Sequence, residues 1–112
     1  MITISIKIDI KDKIPTKTII LLSKLNGENM RRKLKLDELE EKEDSIEIII
    51  SKPIASFNTS YFLGLFTTSI NKYKTKEAFL KKYNFICDEY IMKDIYDGID
   101  EALKHIKLLQ VE

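Results

Sequence analysis

The densest run of chemically versatile side chains is Ser56-Phe57-Asn58-Thr59-Ser60, ahead of the apolar run Tyr61-Phe62-Leu63. Hydroxyl and amide side chains at such a place cap the helix that follows: Asn58, Thr59 or Ser60 accepts a hydrogen bond from a free N–H of the first turn, worth about 1 kcal/mol. The same free N–H groups and the helix dipole accommodate a phosphate. Thr59 and Ser60 are therefore candidate phosphoacceptors. A phosphate there adds about −1.5 to −2 charges, enough to break a close contact made by a neutral surface.

Other chemistry is sparse. Cys87 has acidic neighbours, Asp88 and Glu89, where a reactive thiolate needs a cation or a histidine. His105 is the one histidine in the chain, so a zinc site built from Cys and His is excluded. Asp94, Asp97, Asp100 and Glu101 read as a solvated helix face rather than a metal site. With glycine only at positions 27, 64 and 98 there is no phosphate-cradling loop. No catalytic residue, metal or cofactor is expected, and an enzyme is not the expected class. Arg31, Arg32, Lys33 and Lys35 form a basic cluster with a weaker claim on nucleic acid. An acidic run from Asp37 to Asp44 follows at once, so paired charges on a solvated helix explain it better. A net charge of +1, from 19 Lys/Arg and 18 Asp/Glu, also argues against a dedicated nucleic-acid binder.

The elements that must carry these residues fit one domain spanning residues 1–112. Ile2, Ile4, Ile6, Ile8 and Ile10 alternate as in a strand. Residues 18–22 are a second strand, expected to close an N-terminal hairpin with the first. Asn26-Gly27 is expected to break the chain before a helix from Glu28 to about Glu41. Residues 45–50 form a third strand whose consecutive isoleucines predict a central, twice-covered position. A helix from about Asn58 to Tyr73, a short helix over 76–82, a strand over 83–87 and a helix capped by Asp88 and running to about Leu109 complete the order. Gly98 inside that last helix implies close approach of a neighbour. The expected fold is α/β: a small mixed sheet of about four strands with helices packed on it. No run is long and apolar enough for a membrane span or a signal peptide, and a cytoplasmic protein is expected.

On the helix after Ser60, the residues Tyr61, Phe62, Leu63, Leu65, Phe66 and Ile70 fill a broad apolar arc. Asn58, Thr59, Ser60, Gly64, Thr67, Thr68 and Asn71 supply its start and its remaining face, and all are uncharged. From Pro53 to Asn71 there is no charged residue, in a chain that is 33% charged. Exposed helix faces in such chains normally carry Lys and Glu, so this surface is expected to dock closely against a partner.

Ile48-Ile49-Ile50, then Ile54, Phe57, Asn58-Thr59-Ser60-Tyr61-Phe62 and Leu65, resemble the STAS superfamily of anti-sigma-factor antagonists. They are closer to its STAS-like group of bacterial and phage domains, in which a hydrophobic strand precedes a Ser-Phe-type pair opening an apolar helix. Asn26-Gly27-Glu28-Asn29-Met30-Arg31 is similar to that group's helix start. The resemblance implies a non-enzymatic switch. Its partner is a histidine-kinase-like ATPase or another regulatory or defence subunit, and Thr59 stands at the phosphorylated position with Ser60 after it. Asn58 replaces the usual Asp, Tyr61 a small Gly, and Leu63-Gly64 stands where an acidic residue is common. Binding tolerates those departures better than phosphorylation does. The alternative is a constitutive structural subunit or homodimer that uses the same face.

Overall fold

The computed structural model describes residues 5–110, with side chains through Ile106. Strand β1 (Ser5–Asp9) ends in a 3-10 turn (Ile10–Lys13) and is followed by β2 (Ile20–Leu21), α1 (Lys24–Leu34) and α2 (Leu36–Lys42). Then come β3 (Ser45–Ile49), β4 (Ser56–Phe57), α3 (Thr59–Tyr73), α4 (Lys76–Lys82), β5 (Tyr83–Ile86) and α5 (Glu89–Gln110). Ile2 and Ile4 of the expected first strand lie outside the described residues.

The sheet runs β1-β3-β5 and every pairing in it is parallel, with Ile6 opposite Ile46 and Ile46 opposite Tyr83. The short strands β2 and β4 make a separate parallel pair. The expected N-terminal hairpin is therefore absent among the described residues, and the sheets there are parallel rather than mixed. The reason lies at Ile10, which is fully buried. It anchors the 3-10 turn in the core, so the chain leaves β1 instead of folding back along it. β3 is the central strand, as its isoleucines predicted, but the burial is one-sided. Ile46, Ile48 and Ile50 are buried, while Ile49 is half-buried on the face that carries the Lys7–Glu47 ion pair.

Among the described residues, four of the five α-helices, all but α2, open on a side-chain cap. Ser23 Oγ accepts from Asn26 N, Asn58 Oδ1 from Ser60 N, Thr75 Oγ1 from Ala78 N and Asp88 Oδ1 from Ile91 N. The single helix expected over residues 28–41 is instead two. α1 begins earlier, at Lys24, and ends where Lys35 turns left-handed at φ 56° and donates its N–H to the Arg31 and Arg32 carbonyls. Asn26-Gly27 is not a break but part of α1. An aromatic cluster joins α3, α4 and β5: Phe66 lies 5.0 Å from Tyr83 and 5.4 Å from both Phe79 and Phe85. Each fully buried ring contributes about 1.5–3 kcal/mol. On α5, a Cβ at Gly98 would sit 2.4 Å from the Phe62 ring, so the close approach predicted for that glycine is real.

Candidate functional site

The β2–β4 pair positions the start of α3. Asn58 donates its N–H to the Leu21 carbonyl at 2.9 Å, which seats the helix start beside the chain leaving β2. Phe57 is buried, and its N–H is received by Asp94 of α5 at 3.0 Å. Asn58 itself is spent as the cap. Ser60 is exposed and Thr59 half-buried at the first helical position, so both hydroxyls lie at the surface end of a helix N-terminus.

The segment around β2, paired with β4 ahead of these residues, exposes large aliphatics that sequence periodicity does not single out. Ile19, Ile20, Leu22 and Leu25 are 57, 48, 51 and 63% exposed. Exposed large aliphatics grouped this way mark interaction surfaces far more often than isolated ones do. The signal was present in the run Ile19 to Leu22, but it read as core because a strand paired to β1 would have buried half of it.

The uncharged face of α3 has a different fate. Gly64 is buried, and a Cβ there would sit 2.1 Å from the Lys24 carbonyl oxygen of α1. Reciprocally, a Cβ on Gly27 would sit 2.1 Å from the Tyr61 carbonyl oxygen. The two glycines let α1 and α3 cross backbone against backbone. The close partner expected for this face is thus the chain's own α1, and Gly64 is withdrawn from the expected docking residues. Thr67, half-buried, and Thr68, exposed, line the cleft between the same two helices, and Asn71 is exposed beyond it.

Arg31 is likewise withdrawn from the basic cluster. It is buried, and its Nη1 donates to the Leu65 carbonyl at 2.9 Å and to Ser69 Oγ at 2.8 Å. Its Nη2 donates to Asp37 at 2.7 Å and to Glu40 Oε2 at 3.5 Å. Glu40 has no exposed side-chain surface and also accepts from Ser69 Oγ, Tyr83 OH and, at 3.2 Å, Lys72 Nζ. Burial, then the bond to Glu40, pushes the Tyr83 phenol far up. This network ties α1, α2, α3 and β5 together, and its chemistry is structural: every charge in it has a partner. Arg32, Lys33 and Lys35 remain exposed, but a cluster without its first arginine offers a phosphate backbone little.

Cys87 is half-buried, and burial followed by the Asp88 charge pushes its thiol up to about 11. Asp94 is held by the Phe57 N–H, while Glu101 faces Lys104 and His105. No helix among the described residues is long and apolar enough to cross a membrane. No family model matches the chain, and neither a curated protein nor a solved structure matches it significantly.

Proposed function

We propose that this chain is a non-enzymatic protein-interaction domain of the STAS-like kind. It docks a regulatory or defence partner through the start of α3, at Asn58, Thr59 and Ser60, together with the aliphatic patch of Ile19, Ile20, Leu22 and Leu25. That patch carries the reading. Four large aliphatics lie open on the segment around β2, which pairs with β4 just ahead of α3, in a chain whose remaining aliphatic side chains mostly pack inward. Thr59 is the proposed phosphoacceptor. Phosphorylation places a dianion where the helix N-terminus tolerates it but an apolar partner does not.

The test is affinity capture with three variants. Thr59→Ala retains the partner, Thr59→Glu loses it, and Leu22→Asp loses it regardless of phosphorylation. Equal capture by Thr59→Ala and Thr59→Glu removes the switch, and undiminished capture by Leu22→Asp removes the surface. The same patch also suits a second copy of the chain. A stable dimer mass in solution, abolished by Leu22→Asp, replaces the regulatory reading with that of a constitutive homodimer.

A further inference from the structure

Between β2 and α1 runs a groove of about 410 Å³. Its floor is apolar, made by the buried side chains of Leu21, Met30 and Tyr61, and its open lip is formed by Ile20 and Leu22. Burial pushes the Tyr61 phenol up to about 12, so the floor stays uncharged. The charged side chains lining the groove are Lys13 and Lys33, and no carboxylate lines it among the described residues. That is a marked bias in a chain with 18 Asp and Glu. Lys33 Nζ donates to the Lys13 carbonyl at 2.5 Å, which brings the two cationic residues together.

The lip also has open backbone. Ser56 donates to the Ile19 carbonyl at 3.4 Å and Asn58 to the Leu21 carbonyl at 2.9 Å. In a parallel ladder this directs the N–H and C=O of the intervening Ile20 away from β4. A free strand edge beside an apolar pocket is what strand-type peptide capture uses, and the cationic rim adds a charge preference.

We infer that this groove takes an extended segment of the partner protein in which one or two large apolar side chains are flanked by Asp or Glu. The inference rests on the interaction-domain reading and deepens it. The apolar side chains fill the space over Met30 and Tyr61, the carboxylates meet Lys13 and Lys33, and Ile20 supplies main-chain hydrogen bonds. Charge complementarity sets the choice: a basic or uncharged segment leaves both lysines without a counter-charge.

The experiment selects a random dodecapeptide library on the immobilised full chain and maps the enriched peptides by backbone amide shifts. Enriched peptides are expected to pair a Leu, Ile, Phe or Tyr with flanking acidic residues and to shift the amides of Ile20, Met30 and Lys33. Lys13→Glu/Lys33→Glu, at two exposed positions, is expected to weaken them by about tenfold or more. The wild-type chain gives a second readout without mutation. Affinity should fall as added salt shortens the Debye length from about 10 Å to about 3 Å. Basic or neutral winners, shifts confined to another surface, indifference to both salt and charge reversal, or no enrichment at all overturn the inference. Laurate shifting the same amides while no peptide is enriched also overturns it, in favour of a small-amphiphile site. If this selection fails while capture still separates Thr59→Ala from Thr59→Glu, only the groove chemistry is lost. The opposite result removes the switch and leaves the groove.

Discussion

The crossing of α1 over α3 makes the sharpest prediction, because it fixes the sign of a change that helix propensity alone would assign the other way. Replacing an exposed mid-helix glycine by alanine stabilises a helix by about 1 kcal/mol. At Gly64 the added Cβ meets the Lys24 carbonyl oxygen at 2.1 Å, and at Gly27 it meets that of Tyr61 at 2.1 Å. Restoring an ordinary 3.4 Å contact requires the helices to part by about 1.3 Å. Neither neighbour is a side chain that can rotate aside. Overpacking of this kind costs about 1–3 kcal/mol. Parting the helices also stretches the bonds of Arg31 to the Leu65 carbonyl and Ser69, now 2.9 and 2.8 Å, and weakening hydrogen bonds from a charged group adds about 1–3 kcal/mol. After subtracting the propensity gain, Gly27→Ala and Gly64→Ala should each lose about 1–5 kcal/mol. Urea titration followed by circular dichroism should show the midpoint falling by about 0.5–2.5 M at unchanged slope. A midpoint that stays put or rises in either variant refutes the backbone-on-backbone crossing.

Three further outcomes follow from the buried polar groups. Glu40→Gln removes the carboxylate shared by Ser69, Tyr83, Lys72 and Arg31 while Arg31 keeps Asp37 at 2.7 Å, and should cost about 1.5–3 kcal/mol, seen as a fall in thermal midpoint. Tyr61, Tyr73 and Tyr83 all have phenols raised above the ordinary 10, chiefly by burial. Their contribution is fully present below pH 10 and is lost as pH climbs toward the raised folded values, since the unfolded chain ionises first. Stability should therefore decline from about pH 10 upward, with phenolate absorbance lagging the ordinary titration until unfolding. The Cys87 thiol, raised from 9.0 to about 11, should react with iodoacetamide at neutral pH roughly 100-fold more slowly than in the urea-unfolded chain.

Much of the architecture was legible because it depends on local chemistry. The helices over Thr59–Tyr73 and Lys76–Lys82 fall where the apolar period and the caps put them. Asp88 caps α5 as its position ahead of an apolar stripe indicated. The misreadings share a cause. The expectations of a hairpin, a break at Asn26-Gly27 and an open face at Gly64 follow from neighbours along the chain, whereas each point is decided by a segment far away in sequence. Gly27 looked like a turn residue because glycine favours turns. Here it serves close packing inside α1, and only the position of Tyr61 reveals it. Along the chain Arg31 is one cation among several, and only the fold places Leu65, Ser69 and Glu40 around it.

By itself, the sequence determined the α/β class, where α3, α4 and α5 start, and that an uncharged stretch from Pro53 to Asn71 stands apart in a highly charged protein. Capping, periodicity and composition are local properties, and residue order alone expresses them. Tertiary structure decided what that stretch faces. Its middle is spent on α1, because two glycines allow helix backbones to meet there. Its beginning stays at the surface, because the β2–β4 pair holds Asn58 beside Leu21 and leaves Ile19, Ile20, Leu22 and Leu25 open around it. Exposure is a property of the assembled chain, so no pattern along it could separate a face covered by its own helix from one left for a partner.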